Sequence, residues 1–138
     1  MAKILLIDDD LLLVRMYQKK LENDGYMVAT AVDGEQGLLK VGEFRPDLIL
    51  LDIMMPKMNG LLMLRKLKEN TETAKIPVIL LTNVGSSEED AEQGLELGAV
   101  AYLVKAVNRP SAVVAKVKEI LSGYVREIPQ VKETADTE

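Results

Sequence analysis

Residues 47–60 read DLILLDIMMPKMNG. Leu48, Ile49, Leu50 and Leu51 make a short apolar run that fits a buried strand. One carboxylate, Asp52, closes the run. A Met-rich loop follows, and Asn59-Gly60 is a turn and cap that opens a helix, LLMLRKLKEN. The bland role of that Asn-Gly pair is expected to be its whole role, and the methionines of IMMPKM read as loop packing. A carboxylate at the tip of a buried strand needs a reason, and the rest of the chain supplies one.

The same alternation recurs on both sides of this stretch. KILLI (residues 3–7) reads as a buried strand, bounded by Asp8, Asp9 and Asp10. Residues 11–23 place Leu12, Met16 and Leu21 at helical spacing, and Gly25 stops that helix. YMVATA (26–31) is a weaker strand. Asp33 caps a helix through Phe44, and Pro46 ends the connection. Beyond the central stretch, PVILLT (77–82) is a fourth strand. Ser86 or Ser87 caps an acidic helix ending near Gly98. AVAYLVK (99–105) is a fifth strand, and Pro110 starts a last helix through about Leu121. Five strands, each followed by a helix, predict an α/β fold: a doubly wound parallel sheet with helices on both faces. Residues 1–122 form one domain in this reading, and 123–138 a polar tail or linker.

Composition narrows the chemistry. The chain has 138 residues, 48% hydrophobic and 28% charged, with a formal net charge of −5, which fits one globular domain. Its acidity disfavours direct nucleic-acid binding. Without cysteine or histidine it lacks thiolate chemistry, the usual zinc ligands and the usual neutral-pH acid/base. No apolar run approaches the roughly 20 residues of a membrane span. The N-terminus does not resemble a signal peptide, so a cytoplasmic location is expected.

In open parallel sheets the functional crevice lies at the carboxyl ends of the strands. The first strand ends in Asp8, Asp9 and Asp10, the third in Asp52, the fourth in Thr82 and Asn83, and the fifth in Lys105. Asp10 reads best as a helix cap. Each of the others has an ordinary structural reading when taken singly. Together they set acids, a hydroxyl and an ammonium on one rim. Clustered carboxylates repel unless a cation neutralises them, and a hard divalent ion does so through oxygen ligands. A lysine and a hydroxyl can hold the remaining oxygens of a phosphoryl group. A carboxylate can act as nucleophile and form an aspartyl phosphate.

These motifs resemble the receiver domain of response regulators in two-component signalling, of the chemotaxis-regulator type. The likeness covers about residues 3–121 and rests on DDD, DIMMPKMNG, LLT and GAVAYLVK in that order. It implies a flavodoxin-like fold with strand order 2-1-3-4-5. By position it makes Asp52 the phosphoacceptor, Asp8 and Asp9 the acidic pair, and Asp9 foremost as direct ligand of Mg2+ (or Mn2+). Asp52 and the backbone carbonyl of Met54 complete the metal set. Thr82 matches the switch hydroxyl, Lys105 the phosphate-binding lysine and Tyr102 the aromatic switch. The implied partners are a sensor histidine kinase or histidine phosphotransfer protein, and a downstream target or separate output domain. A homodimer through the fourth helix, fifth strand and fifth helix is a further possibility. The implied role is that of a phosphorylated signalling domain rather than an enzyme.

A degenerate receiver that is never phosphorylated is the main rival. A flavin-binding flavodoxin would need a Ser/Thr-rich phosphate loop where DDD stands, and only one Phe and no Trp are present. A dehalogenase-type phosphatase would place its nucleophile on the first strand and want Thr or Val where Leu12 stands. Two features are specific to this chain. In the family it resembles, the positions of Met54 and Val84 flank the path of the hydrolytic water; Met and Val cannot orient water, which predicts slow loss of phosphate. Lys105 is followed by Ala106 where the family usually has proline. A cis bond before a non-proline residue costs about 2.5–4 kcal/mol, against about 0.5–1 before proline, so a trans Lys105–Ala106 bond is expected. With it goes a Lys105–Asp52 contact that is longer until phosphate arrives.

Overall fold

The computed structural model describes residues 1–55, 58–83, 88–105 and 110–123. Strands β1 (Lys3–Ile7), β2 (Met27–Ala31), β3 (Leu48–Asp52), β4 (Val78–Thr82) and β5 (Ala101–Val104) alternate with helices α1 (Leu11–Asn23), α2 (Gly34–Phe44), α3 (Gly60–Glu69), α4 (Glu88–Leu97) and α5 (Pro110–Leu121). All strand pairs are parallel, in the order β2-β1-β3-β4-β5. The expected sheet and strand order are therefore present.

The two-residue period of the strands divides the core into two layers. Leu5, Ile7, Ile49, Leu51, Val78 and Leu80 pack with Val41 of α2 and Met63, Leu64 and Leu67 of α3. Ile4, Leu6, Leu48, Leu50, Ile79, Leu81 and Leu103 pack with Val14, Tyr17 and Leu21 of α1 and Val113, Val114 and Val117 of α5. β3 and β4 are buried along their whole length, as strands covered on both faces must be. Each fully buried Leu or Ile side chain contributes about 1.5–3 kcal/mol by leaving water.

The helix starts follow from their capping residues. Asp10 accepts from the Leu13 amide, Asp33 from Gln36 and Asn59 from Leu62, so all three expected caps are in place. Glu88, Glu89 and Asp90 occupy the first turn of α4, where the helix dipole favours negative charge. Gly25 and Gly98 take positive φ after α1 and α4, as helix stops do.

Several expectations need correction. β2 begins at Met27 rather than Tyr26, and β4 at Val78 rather than Pro77. β5 spans Ala101–Val104, so Lys105 stands just beyond it. The helical spacing of Leu12, Met16 and Leu21 marks α1 correctly but does not by itself mark its buried face. Leu12 is 71% and Met16 46% exposed, and the buried face is Val14, Tyr17 and Leu21. Both sets have helical spacing, and Leu21 belongs to both. The Lys105–Ala106 bond, Val84, the Ser86/Ser87 cap and the tail from residue 124 lie outside the described residues.

Candidate functional site

Strand parity determines which side chains meet. Asp8, Asp52 and Lys105 continue the parity of Leu6, Leu50 and Leu103, which face the α1/α5 layer. Thr82 and Tyr102 have the opposite parity, that of Leu80, which faces the other layer. Both sets stand at the same end of the sheet, with Thr82 the last residue of β4 and Lys105 just past β5.

Carboxylate oxygens of Asp8, Asp9 and Asp52 lie within 4.8 Å of one another. Asp8 is fully buried and Asp52 almost so, while Asp9 is exposed. β1 hands Asp8 to the site through Asp8 N–H donating to the Ala31 carbonyl. The Asp10 amide then donates to Asp8 Oδ1 at 3.0 Å. Lys105 Nζ donates to Asp8 Oδ2 at 2.9 Å and stands 3.4 Å from Asp52 Oδ1. The ammonium is thus closer to Asp8 than to Asp52. The Lys105 amide donates to the Thr82 carbonyl at 2.7 Å, so the β4–β5 ladder extends by one bond and carries Lys105 inward.

Asp52 is the least satisfied group. Its Oδ1 accepts a long 3.3 Å bond from the Met54 amide. Its Oδ2 is buried with no hydrogen-bond partner among the described residues. Burial and the charge of Asp8 push its carboxyl up to about 7, although Lys105 and the Met54 amide pull the other way. Burial alone would lower the Lys105 ammonium, but its hydrogen bond to Asp8 and the charges of Asp52 and Asp8 raise it overall.

The donor set suits a hard divalent cation. Three carboxylates converge, and among the described residues one of them, Asp8, has an ammonium in short contact and one buried oxygen is left over. Such an ion takes oxygen ligands and relieves the mutual repulsion.

Thr82 is buried opposite Val104, at the end of β4. Tyr102 is half-buried opposite Leu80. Burial and then Glu88 and Glu92 of α4 raise its phenol, so its hydroxyl end lies beside α4 rather than in the acidic pocket. Sequence reasoning missed Tyr17. This buried residue of α1 has its phenol pushed up to about 12, first by burial and then by the charge of Asp8. It also missed Gly34, whose contact with Met58 joins elements distant along the chain. No spacing signal points to either.

The response regulator receiver domain family matches residues 4–118. The alkaline phosphatase synthesis transcriptional regulatory protein PhoP of Bacillus subtilis is 42% identical over 119 residues, covering 86% of this chain and 48% of PhoP. This chain therefore spans about half the length of that relative. Among solved structures, a CheY-like response regulator receiver domain protein from Methanospirillum hungatei JF-1 superposes with a TM-score of 0.82 at 32% identity. That match covers 90% of this chain and 96% of the other. The Mn(2+)-bound form of response regulator Rcp1 matches with a TM-score of 0.76 at 27% identity, over 91% of this chain and 98% of the other.

Proposed function

The chain belongs to the response regulator receiver domain family, and from that premise we propose that Asp52 accepts a phosphoryl group from a histidine kinase or histidine phosphotransfer protein. The observation that carries this reading is Asp52 Oδ2: buried, without a hydrogen-bond partner among the described residues, and set beside Asp8, Asp9 and Lys105. An oxygen in that state is a ready nucleophile. Asp52 attacks phosphorus, an O–P bond forms, and the P–N bond to the donor imidazole breaks with its electron pair leaving on nitrogen. Asp8, Asp9, Asp52 and the Met54 carbonyl would hold Mg2+ or Mn2+. When bound, the ion neutralises charge on the phosphoryl oxygens. Asp9, exposed and outside the Lys105 contact, is the carboxylate most open to it. Lys105 is close enough to Asp52 to move from Asp8 onto the new phosphoryl group.

Thr82 then turns its hydroxyl to the phosphoryl oxygens, and Tyr102 turns inward into the space released. Phosphate contacts select one of two packings. The surface that changes is α4–β5–α5, the face offered to a downstream target, an output domain or a second copy of the chain. Residues 1–122 carry this activity and 123–138 form a tail or linker. No helix among the described residues is long and apolar enough to cross a membrane, and the proposed setting is cytoplasmic. Amide exchange with and without beryllofluoride is expected to change protection in α4, β5 and α5. Unchanged protection there would sink the switch.

Phosphorylation itself is tested with acetyl phosphate. One label is expected, on Asp52, dependent on magnesium and absent from Asp52→Asn. Label that survives this substitution or a chelator refutes the reading, and no label at all leaves a degenerate receiver. The label is expected to decay slowly. Met54→Asn combined with Val84→Glu should shorten its lifetime by placing polar groups where water must be oriented.

A further inference from the structure

We propose that Gly34 and Gly60 are positioning residues for the phosphoacceptor loop, seating the backbone after Asp52 by two approaches too close for any side chain. The inference rests on the phosphoacceptor reading and concerns what holds that site in shape.

The loop from β3 to α3 leaves the sheet at Ile53, whose amide donates to the Leu81 carbonyl at 3.0 Å. It returns at once. The Gly60 amide donates to the Ile53 carbonyl at 2.8 Å, which ties the start of α3 to the end of β3. A Cβ on Gly60 would overlap the Asp52 carbonyl oxygen and stand 2.9 Å from Ile53 Cα. The first turn of α3 is thereby pressed onto the peptide that follows the phosphoacceptor. The opposite flank is closed by α2. A Cβ on Gly34 would stand 2.8 Å from the Met58 carbonyl oxygen and 2.9 Å from Met58 Cβ. In both places the obstacle includes backbone, which cannot swing aside as the end of a side chain can. Along the chain between Ile53 and Met58 stands Met54, whose amide donates to the Asp52 carboxylate and whose carbonyl is assigned to the metal. Asn59-Gly60 is therefore more than a turn: its glycine sets the depth at which α3 docks on β3.

α2 contains its own controls. A Cβ on Gly37 would meet only the side-chain ends of Ile7 and Met63, and one on Gly42 would meet nothing within 4 Å. Gly60→Ala is the harsher lesion and displaces strand backbone, so Gly34→Ala decides. The full-length chain is compared as wild type, Gly34→Ala, Gly37→Ala, Gly42→Ala and the double variant Gly34→Ala/Met58→Gly. Urea midpoint, magnesium affinity by calorimetry and labelling rate with acetyl phosphate are measured for each. Gly34→Ala should label about ten-fold more slowly, since displacements of a fraction of an ångström at a reacting group have effects of this order, and should bind magnesium more weakly. The double variant, which removes the Met58 Cβ from the overlap, should recover part of both. Gly37→Ala should lower the urea midpoint and leave labelling and magnesium affinity alone, and Gly42→Ala should impair none of the three. Wild-type labelling and magnesium affinity in Gly34→Ala overturns the proposal, as does a loss in Gly37→Ala that tracks its urea midpoint. If the wild-type chain takes no label, the phosphoacceptor reading falls while the magnesium measurements still decide the positioning claim.

Discussion

Asp52→Asn is expected to be more stable than the wild-type chain at pH 8, by on the order of 2–4 kcal/mol in metal-free buffer. The folded chain raises this carboxyl from 3.8 to about 7, chiefly through burial and then through Asp8, against the pull of Lys105 and the Met54 amide. Between about pH 4 and pH 7 the folded state therefore keeps a proton on Asp52 that the unfolded state has released. A folded state that binds more protons loses stability as pH rises. The contribution of Asp52 thus declines through that window and is fully unfavourable above it. The attraction of Lys105 is already counted in the shift, so the penalty is net. Lys105 does not titrate in this range, because its own pKa lies above the ordinary 10.5. An amide at position 52 cannot ionise and carries no such penalty. Urea unfolding of both proteins from pH 4 to pH 8, with chelator present, is the test. The curves should meet near pH 4 and separate toward pH 8. Equal stability at pH 8, or a decline that persists in Asp52→Asn, would refute the account. The result would also mean that the site holds an unfavourable carboxylate at a cost in stability, as functional sites commonly do.

The fold was legible because its signals are local. Apolar runs of four or five residues, three of them followed by an Asp or Asn that caps the next helix, specify strand, cap and helix without reference to the rest of the chain. The same runs placed Asp8, Asp52, Thr82 and Lys105 at strand ends, and a parallel sheet puts all such ends on one rim. What could not be read depends on direction. Leu12 and Met16 stand at helical spacing, yet they face solvent while Val14 and Tyr17 are buried against the sheet-side core. The spacing also could not show that the Lys105 ammonium would be nearer to Asp8 than to Asp52. The closeness of Gly34 to Met58 is a tertiary contact between segments that no motif links.

Lys105→Met is expected to separate the structural role of the ammonium from its chemical one. Methionine keeps most of the unbranched stem and removes the charge. Without metal, the variant leaves Asp8 and Asp52 buried with no cation between them, and breaking a buried pair in this way costs about 3–5 kcal/mol. Lys105 is the cation in contact with both carboxylates among the described residues, at 2.9 Å from Asp8 and 3.4 Å from Asp52, so no neighbour in that set takes over. Magnesium supplies the missing positive charge. It also no longer competes with an ammonium for Asp8, and it should bind the variant more tightly than the wild type. Metal binding to the folded state stabilises it by mass action, so the gain in stability on adding magnesium should be larger for Lys105→Met. Phosphorylation should not recover with it. Magnesium can neutralise the carboxylates, but it cannot also supply a second cation on the phosphoryl oxygens as charge develops there. The loss of one such contact costs about a hundred-fold in rate. The measurements are unfolding midpoints and acetyl phosphate labelling rates across a magnesium titration. The expected pattern is stability that rises toward the wild-type value at saturating metal, with labelling still about a hundred-fold slow. If the metal-free variant is as stable as the wild type, Lys105 is not offsetting the buried carboxylates. If saturating magnesium restores the labelling rate, its ammonium has no part in the transfer.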